Sequence, residues 1–436
     1  MNEQHPDDCG CQEYNELSRR QFITTSAVGA SAAFFPAWLP KIVMSKAFAS
    51  DRDIIVSVFM RGGADGLSLV VPFADANYYT SRSSIAIPRP DSSAATKGIN
   101  LDNFFMFPQA MAGGAAGTGG LMPAFQAQDL LVVHATGQLN NSRSHFDAQR
   151  YMEVGKPVDP TLVTGWLGRH LASIPPLKPD APLRALGVAN GLQKTLVGAP
   201  KTLPIADPTN YSIGGSATTQ TQRLAFMQSD YVPAEEPLHS AALDATNTVT
   251  LLKTVNFTGY KPANSVVYPT SSFGRALRSV AVLIKGDVGI EAAQIDIGGW
   301  DTHSGQDPLA GSMFRTMQDF SNSLAAFYAD VIATGYNVTV VAISEFGRNV
   351  RENGSQGTDH GRGTTMFAMG KGILGGRVLT KNWPGLAREN LDSGQDLKVT
   401  VDYRDILAEI VQRRLANPNL GFVFPTWTPT MLGVTR

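Results

Sequence analysis

Carboxylate and imidazole side chains occur together at two places in this sequence, in a combination that suits a metal ion. Asp301 and His303 are two residues apart, so their side chains lie on the same side of an extended backbone. Glu345 follows an apolar run, and Asp359 and His360 come shortly after it in a glycine-rich stretch. Oxygen and imidazole ligands suit zinc, manganese or iron. These five residues are therefore candidate metal ligands.

A further candidate ligand, Asp65, stands in the glycine-rich segment 61–66, which follows the apolar run 54–60. The backbone of such a segment could cradle an anion, and Asp65 could bind a metal. Gly62 and Gly63 are adjacent, so the segment does not match the G-x-G-x-x-G pattern of a dinucleotide site. Taken alone, the segment is more typical of a tight turn than of a binding site.

Hydroxyl and guanidinium groups lie near these candidate ligands. Ser142 and Ser144 precede a helical pattern, and the N-terminus of a helix favours both a bound anion and an ionised hydroxyl. Asp147 follows Ser144 by three residues, the spacing of a helix cap, so Ser144 fits a cap and a nucleophile equally well. Guanidinium groups can grip a phosphate or sulfate in bidentate fashion, and three arginines are placed to do so: Arg143, Arg348 and Arg362.

Short β-branched runs alternate with helical patterns, which is typical of an α/β fold. The predicted strands are 54–60, 130–133, 292–297, 338–343 and 366–369. Spacing near 3.6 predicts helices over 146–154, 238–255, 276–284, 313–332 and 403–415. Four of the apolar runs end where polar clusters begin. Because ligands bind outside the carboxyl ends of parallel strands, we expect these clusters to converge in one site.

The first 49 residues have the features of an export leader. Arg19 and Arg20 stand directly before a mildly apolar stretch, residues 22–39, and Ala47-Phe48-Ala49 offers a small-x-small cleavage site. The pattern resembles a twin-arginine signal, and an uncleaved anchor is the less favoured alternative. We therefore expect a periplasmic or extracellular protein that has no stable membrane span after cleavage.

Removing the leader changes the composition. The leader holds both cysteines, four of the 36 basic residues and five of the 37 acidic residues, which leaves 32 of each and no cysteine. Disulfides and thiolate ligands are thereby excluded from the mature chain. The balanced charge gives no global basic field, so we expect no nucleic-acid partner. Residues 50–436 are predicted to form a single α/β domain, with an inserted Ser/Thr-rich subdomain around 191–270.

Four motifs give the sequence a family resemblance: FMRGGADGLSLVVP (59–72), NSRSHFD (141–147), GGWDTHSGQ (298–306) and SEFGRNVRENGSQGTDHGRG (344–363). On these motifs the chain is identified as a member of the bacterial domain-of-unknown-function family 1501, which resembles the alkaline phosphatase superfamily. That resemblance implies a mostly parallel central sheet flanked by helices, two metal ions and a hydroxyl nucleophile at a helix N-terminus. By motif position it implies the ligands Asp65, Asp301, His303, Glu345 and His360, and the nucleophile Ser142 or Ser144.

The sequence also departs from the superfamily pattern. Glu345-Phe346 stands where the superfamily has an Asp-His pair, so one imidazole is missing unless Asp359 or His134 replaces it. No Cys/Ser-x-Pro-x-Arg signature is present in the mature chain, which disfavours a formylglycine sulfatase.

Two functions follow from these observations. The leading hypothesis is an exported hydrolase or transferase that depends on divalent metal ions, whether zinc, manganese or calcium, and acts on a phosphate or sulfate ester. Its substrate would be a small molecule or a polymer, attacked by a serine. The alternative is a non-catalytic binding or assembly protein of the envelope that keeps the fold and has an envelope protein as its partner.

Overall fold

Nine strands form one large sheet in residues 52–436, the part of the chain that this computed structural model describes. The predicted leader, residues 1–49, lies outside the described residues. In chain order the strands are β1 (Ile54–Met60), β2 (Ile99–Asn100), β3 (Met106–Phe107), β4 (Leu130–Gly137), β5 (Ala185–Gly187), β6 (Thr202–Pro204), β7 (Ala292–Ile297), β8 (Val338–Ile343), β9 (Thr364–Met369), β10 (Arg377–Leu379) and β11 (Val401–Asp402). Strands β2 and β3 pair with each other in a small antiparallel sheet.

Most neighbouring strands of the large sheet are parallel. Their order is β10-β4-β9-β8-β1-β7-β5-β6, and β11 lies beside β4. Strand β9 is antiparallel to both of its neighbours, β4 and β8. Strands β1, β4, β7 and β8 are buried almost throughout, as expected where helices cover both faces of a sheet. The predicted α/β fold with a mostly parallel sheet is confirmed.

The helices flank this sheet. In chain order they are α1 (Gly66–Leu69), α2 (Ala76–Ser81), α3 (Gln109–Ala112), α4 (Met122–Gln126), α5 (His145–Val154), α6 (Trp166–Ala172), α7 (Gln220–Phe226), α8 (Leu238–Thr254), α9 (Ser272–Lys285), α10 (Ser312–Phe327), α11 (Tyr403–Arg413) and α12 (Leu420–Val423). The predicted helix 313–332 divides into α10 and a π-helical turn, Tyr328–Ile332. Among residues 52–436, no helix combines the length and the apolar character that a membrane span needs.

Two hydrophobic cores lie on the two faces of the sheet. Along β1, Val56 and Val58 belong to one core, and Ile55 and Phe59 belong to the other. This alternation is the two-residue period of a strand that is covered on both sides. Helices α9 and α10 contribute to the first core, and α6 and α11 contribute to the second. Packing on both faces fixes the positions of the loops that leave the strand ends.

Residues 191–270 contain strand β6 and helices α7 and α8. Strand β6 extends the large sheet beyond β5. The end of the segment is tied to the π-helical turn, because Asp330 accepts hydrogen bonds from the hydroxyls of Tyr260 and Tyr268. Lys285 pairs with the same carboxylate at 2.7 Å. Burial would raise the pKa of Asp330, but these donors lower it, so the carboxylate remains charged.

Candidate metal centre

Loops from several strands meet at one edge of the sheet. Because β1 pairs in parallel with both β7 and β8, segments 61–65, 298–303 and 344–348 all leave from that edge. Strand β9 runs in the opposite direction, so segment 357–363, which precedes it, reaches the same edge. The segment after β4 leads into α5 there. The structure thus brings together the polar clusters that follow the predicted strands.

Three imidazole rings and one carboxylate are in contact at this edge. His360 Nε2 lies 3.0 Å from His145 Nε2 and 2.9 Å from His303 Nε2. Asp301 Oδ1 lies 3.1 Å from His303 Nε2 and 3.4 Å from His360 Nε2. Asp301 Oδ2 is 3.6 Å from His145 Nε2. We call His145, Asp301, His303 and His360 the histidine cluster.

The outward-facing nitrogen of each ring is held by an oxygen atom. The Nδ1 contacts are His145 with Glu345 Oε1 at 2.8 Å, His303 with Asp359 Oδ1 at 2.9 Å, and His360 with the Arg143 carbonyl at 2.9 Å. A carbonyl only accepts, so the Nδ1 of His360 carries a hydrogen, and in the neutral ring Nε2 is the nitrogen with a lone pair. Metal-binding histidines are commonly oriented in this way by an outer acceptor.

His360 Nε2 therefore faces the Nε2 atoms of His145 and His303 and the Asp301 carboxylate. Such an arrangement requires positive charge, which either a proton on a neighbouring ring or a metal cation can supply. Burial would lower the pKa of His145, but contacts with Asp301 and Glu345 outweigh it and raise the pKa to about 9. Burial would raise the pKa of Asp301, but its histidine neighbours lower it. A metal cation would meet the same need and displace the proton.

The donor set fits a transition metal. One ligand atom from each of His145, Asp301 and His360 lies within 4.8 Å of the others, and His303 adds a fourth donor next to two of them. Imidazole nitrogen with carboxylate oxygen suits zinc, iron and manganese. Calcium takes oxygen ligands, so an imidazole-rich set argues against the calcium included in the sequence-based hypothesis.

Two predicted ligands stand behind the cluster instead of inside it. Glu345 is fully buried and accepts hydrogen bonds from His145 Nδ1, Gln149 Nε2 and the Gly62 backbone N–H. Burial would raise the pKa of Glu345, but the contact with His145 outweighs it and the pKa is about 2. Asp359 is exposed and contacts His303 Nδ1. Both carboxylates orient an imidazole ring.

The prediction that Asp65 is a metal ligand disagrees with the structure. Asp65 is buried and forms a bidentate ion pair with Arg82, with oxygen–nitrogen distances of 2.5 and 2.9 Å. Ser68 and Gln306 donate to the same carboxylate. Its side chain also caps α1 through the Leu67 N–H. With its oxygens fully engaged, Asp65 holds the loop after β1 in place.

Arg348 is not available to grip a substrate, contrary to the sequence-based prediction. Its side chain is completely buried and donates to Asp301 Oδ1 at 2.6 Å. The same guanidinium group donates to the backbone carbonyls of Gly62, Gly63, Trp300 and Thr358. Arg348 therefore ties three loops together and fixes the position of Asp301.

The other two predicted arginines line a cavity beside the cluster, and each is already paired with an aspartate. Arg143 Nη2 lies 2.5 Å from Asp396 Oδ2, and Arg362 Nη1 lies 2.5 Å from Asp392 Oδ2. The Arg143 carbonyl is the group that holds His360. Both residues are therefore near the cluster, although neither guanidinium group is free of a counter-ion.

The two candidate nucleophiles stand directly before helix α5. Ser144 occupies the N-cap position, but its side chain makes no capping hydrogen bond. The Ser142 hydroxyl accepts from the Ser144 backbone N–H at 3.3 Å. Ser144 therefore stands at the N-cap position, but its hydroxyl does not cap a backbone N–H of α5. His145, the next residue, belongs to the histidine cluster.

His145 is the member of the cluster that residue-type reasoning did not assign as a ligand. His145 places a third imidazole in the cluster, whereas Asp359 contacts His303 from behind and His134 lies outside the cluster. His134 is buried within β4, where its Nε2 is 2.8 Å from the Val70 carbonyl. One feature of the sequence could have pointed to His145 as a member of the cluster. His145 lies inside the NSRSHFD motif, next to the predicted start of a helix.

Comparison with known protein families shows which family the chain belongs to. Residues 161–424 match the family described as "Protein of unknown function (DUF1501)". The chain belongs to this family. The matched region includes Asp301, His303 and His360, whereas His145 precedes it.

Comparisons with individual proteins find a solved structure of low similarity and no curated relative. Among solved structures, the chain is similar to a protein in the alkaline phosphatase superfamily from Vibrio parahaemolyticus, at 11% sequence identity and a TM-score of 0.34, over 83% of this chain and 70% of that chain. That likeness is too weak to transfer the role of any residue. No protein with a curated description matches the sequence.

Proposed function

We propose that this protein is an exported metal-dependent hydrolase or transferase that acts on a phosphate or sulfate ester. The observation that carries the proposal is the histidine cluster, in which Nε2 atoms face one another and a buried carboxylate while Nδ1 atoms are held from behind. A serine hydroxyl at a helix N-terminus and two arginines lie beside it. A metal ion held by the cluster and a hydroxyl at a helix N-terminus are groups that can cleave an ester at phosphorus or sulfur.

His145, Asp301 and His360 would hold the metal, and His303 would complete the set. When bound, the metal would polarise the ester and stabilise the charge that develops on its oxygens. Glu345 and Asp359 keep two of the rings oriented through their Nδ1 atoms. Arg348 holds the Asp301 carboxylate through a contact of 2.6 Å, so the carboxylate is in place before the substrate arrives.

Ser144 is the better candidate nucleophile of the two serines, because its hydroxyl is not used in capping. It would attack the phosphorus or sulfur atom, the bond to the ester oxygen would break, and the leaving alcohol would take up a proton. Water or a second alcohol would then release the group from the serine. The N-terminus of α5 carries partial positive charge, which favours both the ionised hydroxyl and the developing oxyanion.

Export rests on the leader sequence. The Arg19-Arg20 pair before an apolar stretch supports passage through the twin-arginine pathway, which delivers folded proteins. Substituting both arginines with lysine should leave the tagged protein in the cytoplasmic fraction. Equal recovery of wild type and variant from the periplasmic fraction would contradict this part of the proposal.

An assay of ester cleavage tests the activity. Purified protein, supplemented with zinc or manganese, is given phenyl phosphate and phenyl sulfate, and the release of phenol is measured. Ser144→Ala should reduce the rate by more than about 100-fold, whereas Ser142→Ala, the matched control two residues away, should keep most of it. Absence of turnover of both esters by a metal-loaded wild type would favour the non-catalytic envelope protein.

A further inference from the structure

A cavity of about 240 Å³ opens beside the histidine cluster. The side chains that line it are all polar or charged: Asn141, Arg143, Arg362, Asp392, Ser393 and Asp396. The cavity adjoins the cluster through the backbone, because the Arg143 carbonyl contacts His360 Nδ1 at 2.9 Å. Arg362 follows His360 by two residues. Arg143 and the segment 360–362 therefore connect the lining of this cavity to the histidine cluster.

The charges in the cavity cancel in pairs. Arg143 pairs with Asp396, and Arg362 pairs with Asp392, each at 2.5 Å. Two guanidinium groups and two carboxylates leave no net charge. A charged group that entered the cavity would have to break one of these ion pairs, and a separated partner that is partly buried loses much of its stabilisation.

The cavity still has hydrogen-bonding capacity to offer. Arg143 uses only its Nη2 in the ion pair. A hydroxyl group both donates and accepts, so it can bond to a guanidinium N–H and a carboxylate oxygen at once. An apolar or aromatic group would cover these polar atoms without replacing their bonds to water.

We infer that this cavity binds the alcohol part of the ester, and that this alcohol is an uncharged polyol of the size of one sugar ring. The inference rests on the proposed function, because it places the ester bond at the histidine cluster and the leaving alcohol in the cavity. The size follows from the volume, which is below the roughly 300–1,000 Å³ of pockets for larger ligands.

Direct binding tests the inference separately from catalysis. Glucose and glucuronate, which differ in one carboxylate, are titrated calorimetrically into the full-length protein. Wild type should bind glucose more tightly than glucuronate. Asp392→Asn leaves Arg362 without its counter-ion, so this variant should lose glucose affinity by about tenfold and gain affinity for glucuronate.

The matched control is Asp91→Asn, which breaks another single Arg–Asp pair, that of Arg89 and Asp91 on the surface. This control should bind both sugars as wild type does, and circular dichroism should show all variants folded. Tighter binding of glucuronate than of glucose by wild type, or no binding of either sugar, would overturn the inference whatever the ester assay shows. Glucose binding without turnover of any ester would instead contradict the proposed function and support a polyol site.

Discussion

His145 Nε2 and His360 Nε2 lie 3.0 Å apart, and the other nitrogen of each ring is already engaged by Glu345 or by the Arg143 carbonyl. Two unprotonated imidazole nitrogens at this distance repel each other. Positive charge shared between them removes the repulsion. This contact joins the first residue of α5 to the loop before β9.

Removal of His145 should weaken metal binding. His145→Ala takes away one imidazole ligand and leaves His360 without its neighbour at 3.0 Å. We expect zinc affinity, measured by competition with a chromogenic chelator, to fall by more than about 100-fold. His239→Ala is the matched control, because His239 lies in α8, outside the cluster. Unchanged affinity in His145→Ala would mean that His145 is not a ligand.

Substitution behind the cluster should have a smaller effect. Glu345→Gln removes the negative charge that holds His145 Nδ1 at 2.8 Å, while the ring itself remains. We expect zinc affinity in the same competition assay to fall by about 10- to 100-fold. Glu389→Gln, at an exposed position, should leave the affinity as it is. An effect of Glu345→Gln no larger than that of Glu389→Gln would contradict an orienting role.

Arg348 should be required for stability. The substitution Arg348→Lys keeps the positive charge. Lysine cannot, however, reproduce the contacts of the guanidinium group with four backbone carbonyls and Asp301. We expect the free energy of unfolding, measured in urea, to fall by about 3–5 kcal/mol. Arg351, which is exposed, provides the control. Arg351→Lys should change the free energy of unfolding by less than about 0.5 kcal/mol. Equal stability of the two variants would contradict the account.

His134 should make the fold sensitive to acid. Burial lowers its pKa from 6.5 to about 4, and its Nδ1 accepts from the Ala135 N–H at 2.7 Å, which a protonated ring could not do. The unfolded chain therefore binds this proton first as the pH falls. The contribution of His134 is complete above about pH 6.5 and is lost between pH 6.5 and 4, by about 3 kcal/mol in total.

The variant His134→Gln tests this dependence, because glutamine is polar but does not titrate. Urea unfolding at pH 7 and pH 4.5 should show a smaller loss of stability for the variant than for wild type. An equal loss in both proteins would assign the acid sensitivity to other groups.

The sequence was most informative about the secondary-structure elements, and less so about the contacts between distant residues. Apolar runs predicted β1, β7 and β8 at their observed bounds, because strands that are covered on both faces are dominated by apolar and β-branched residues. The rule that ligands bind beyond parallel strand ends then placed Asp301 and His360 at one edge. Both are in the cluster.

Long-range pairing was not predictable from one sequence. Asp65 looks like a metal ligand until Arg82 is seen beside it, and Arg348 looks like an anion receptor until its carbonyl partners are known. His145 was passed over because nothing in its spacing shows that α5 begins beside His360. Each of these contacts depends on the way in which loops fold back, which hydrophobic periodicity does not encode.

The measurement that tests the central claim most directly is the metal content of the purified full-length protein by inductively coupled plasma mass spectrometry. We expect about one zinc, iron or manganese ion per chain, and loss of that ion in His360→Ala, which removes the imidazole in contact with both other rings. Wild-type protein that is free of metal after exposure to all three ions, or a His360→Ala variant with the same metal content as wild type, would contradict the account.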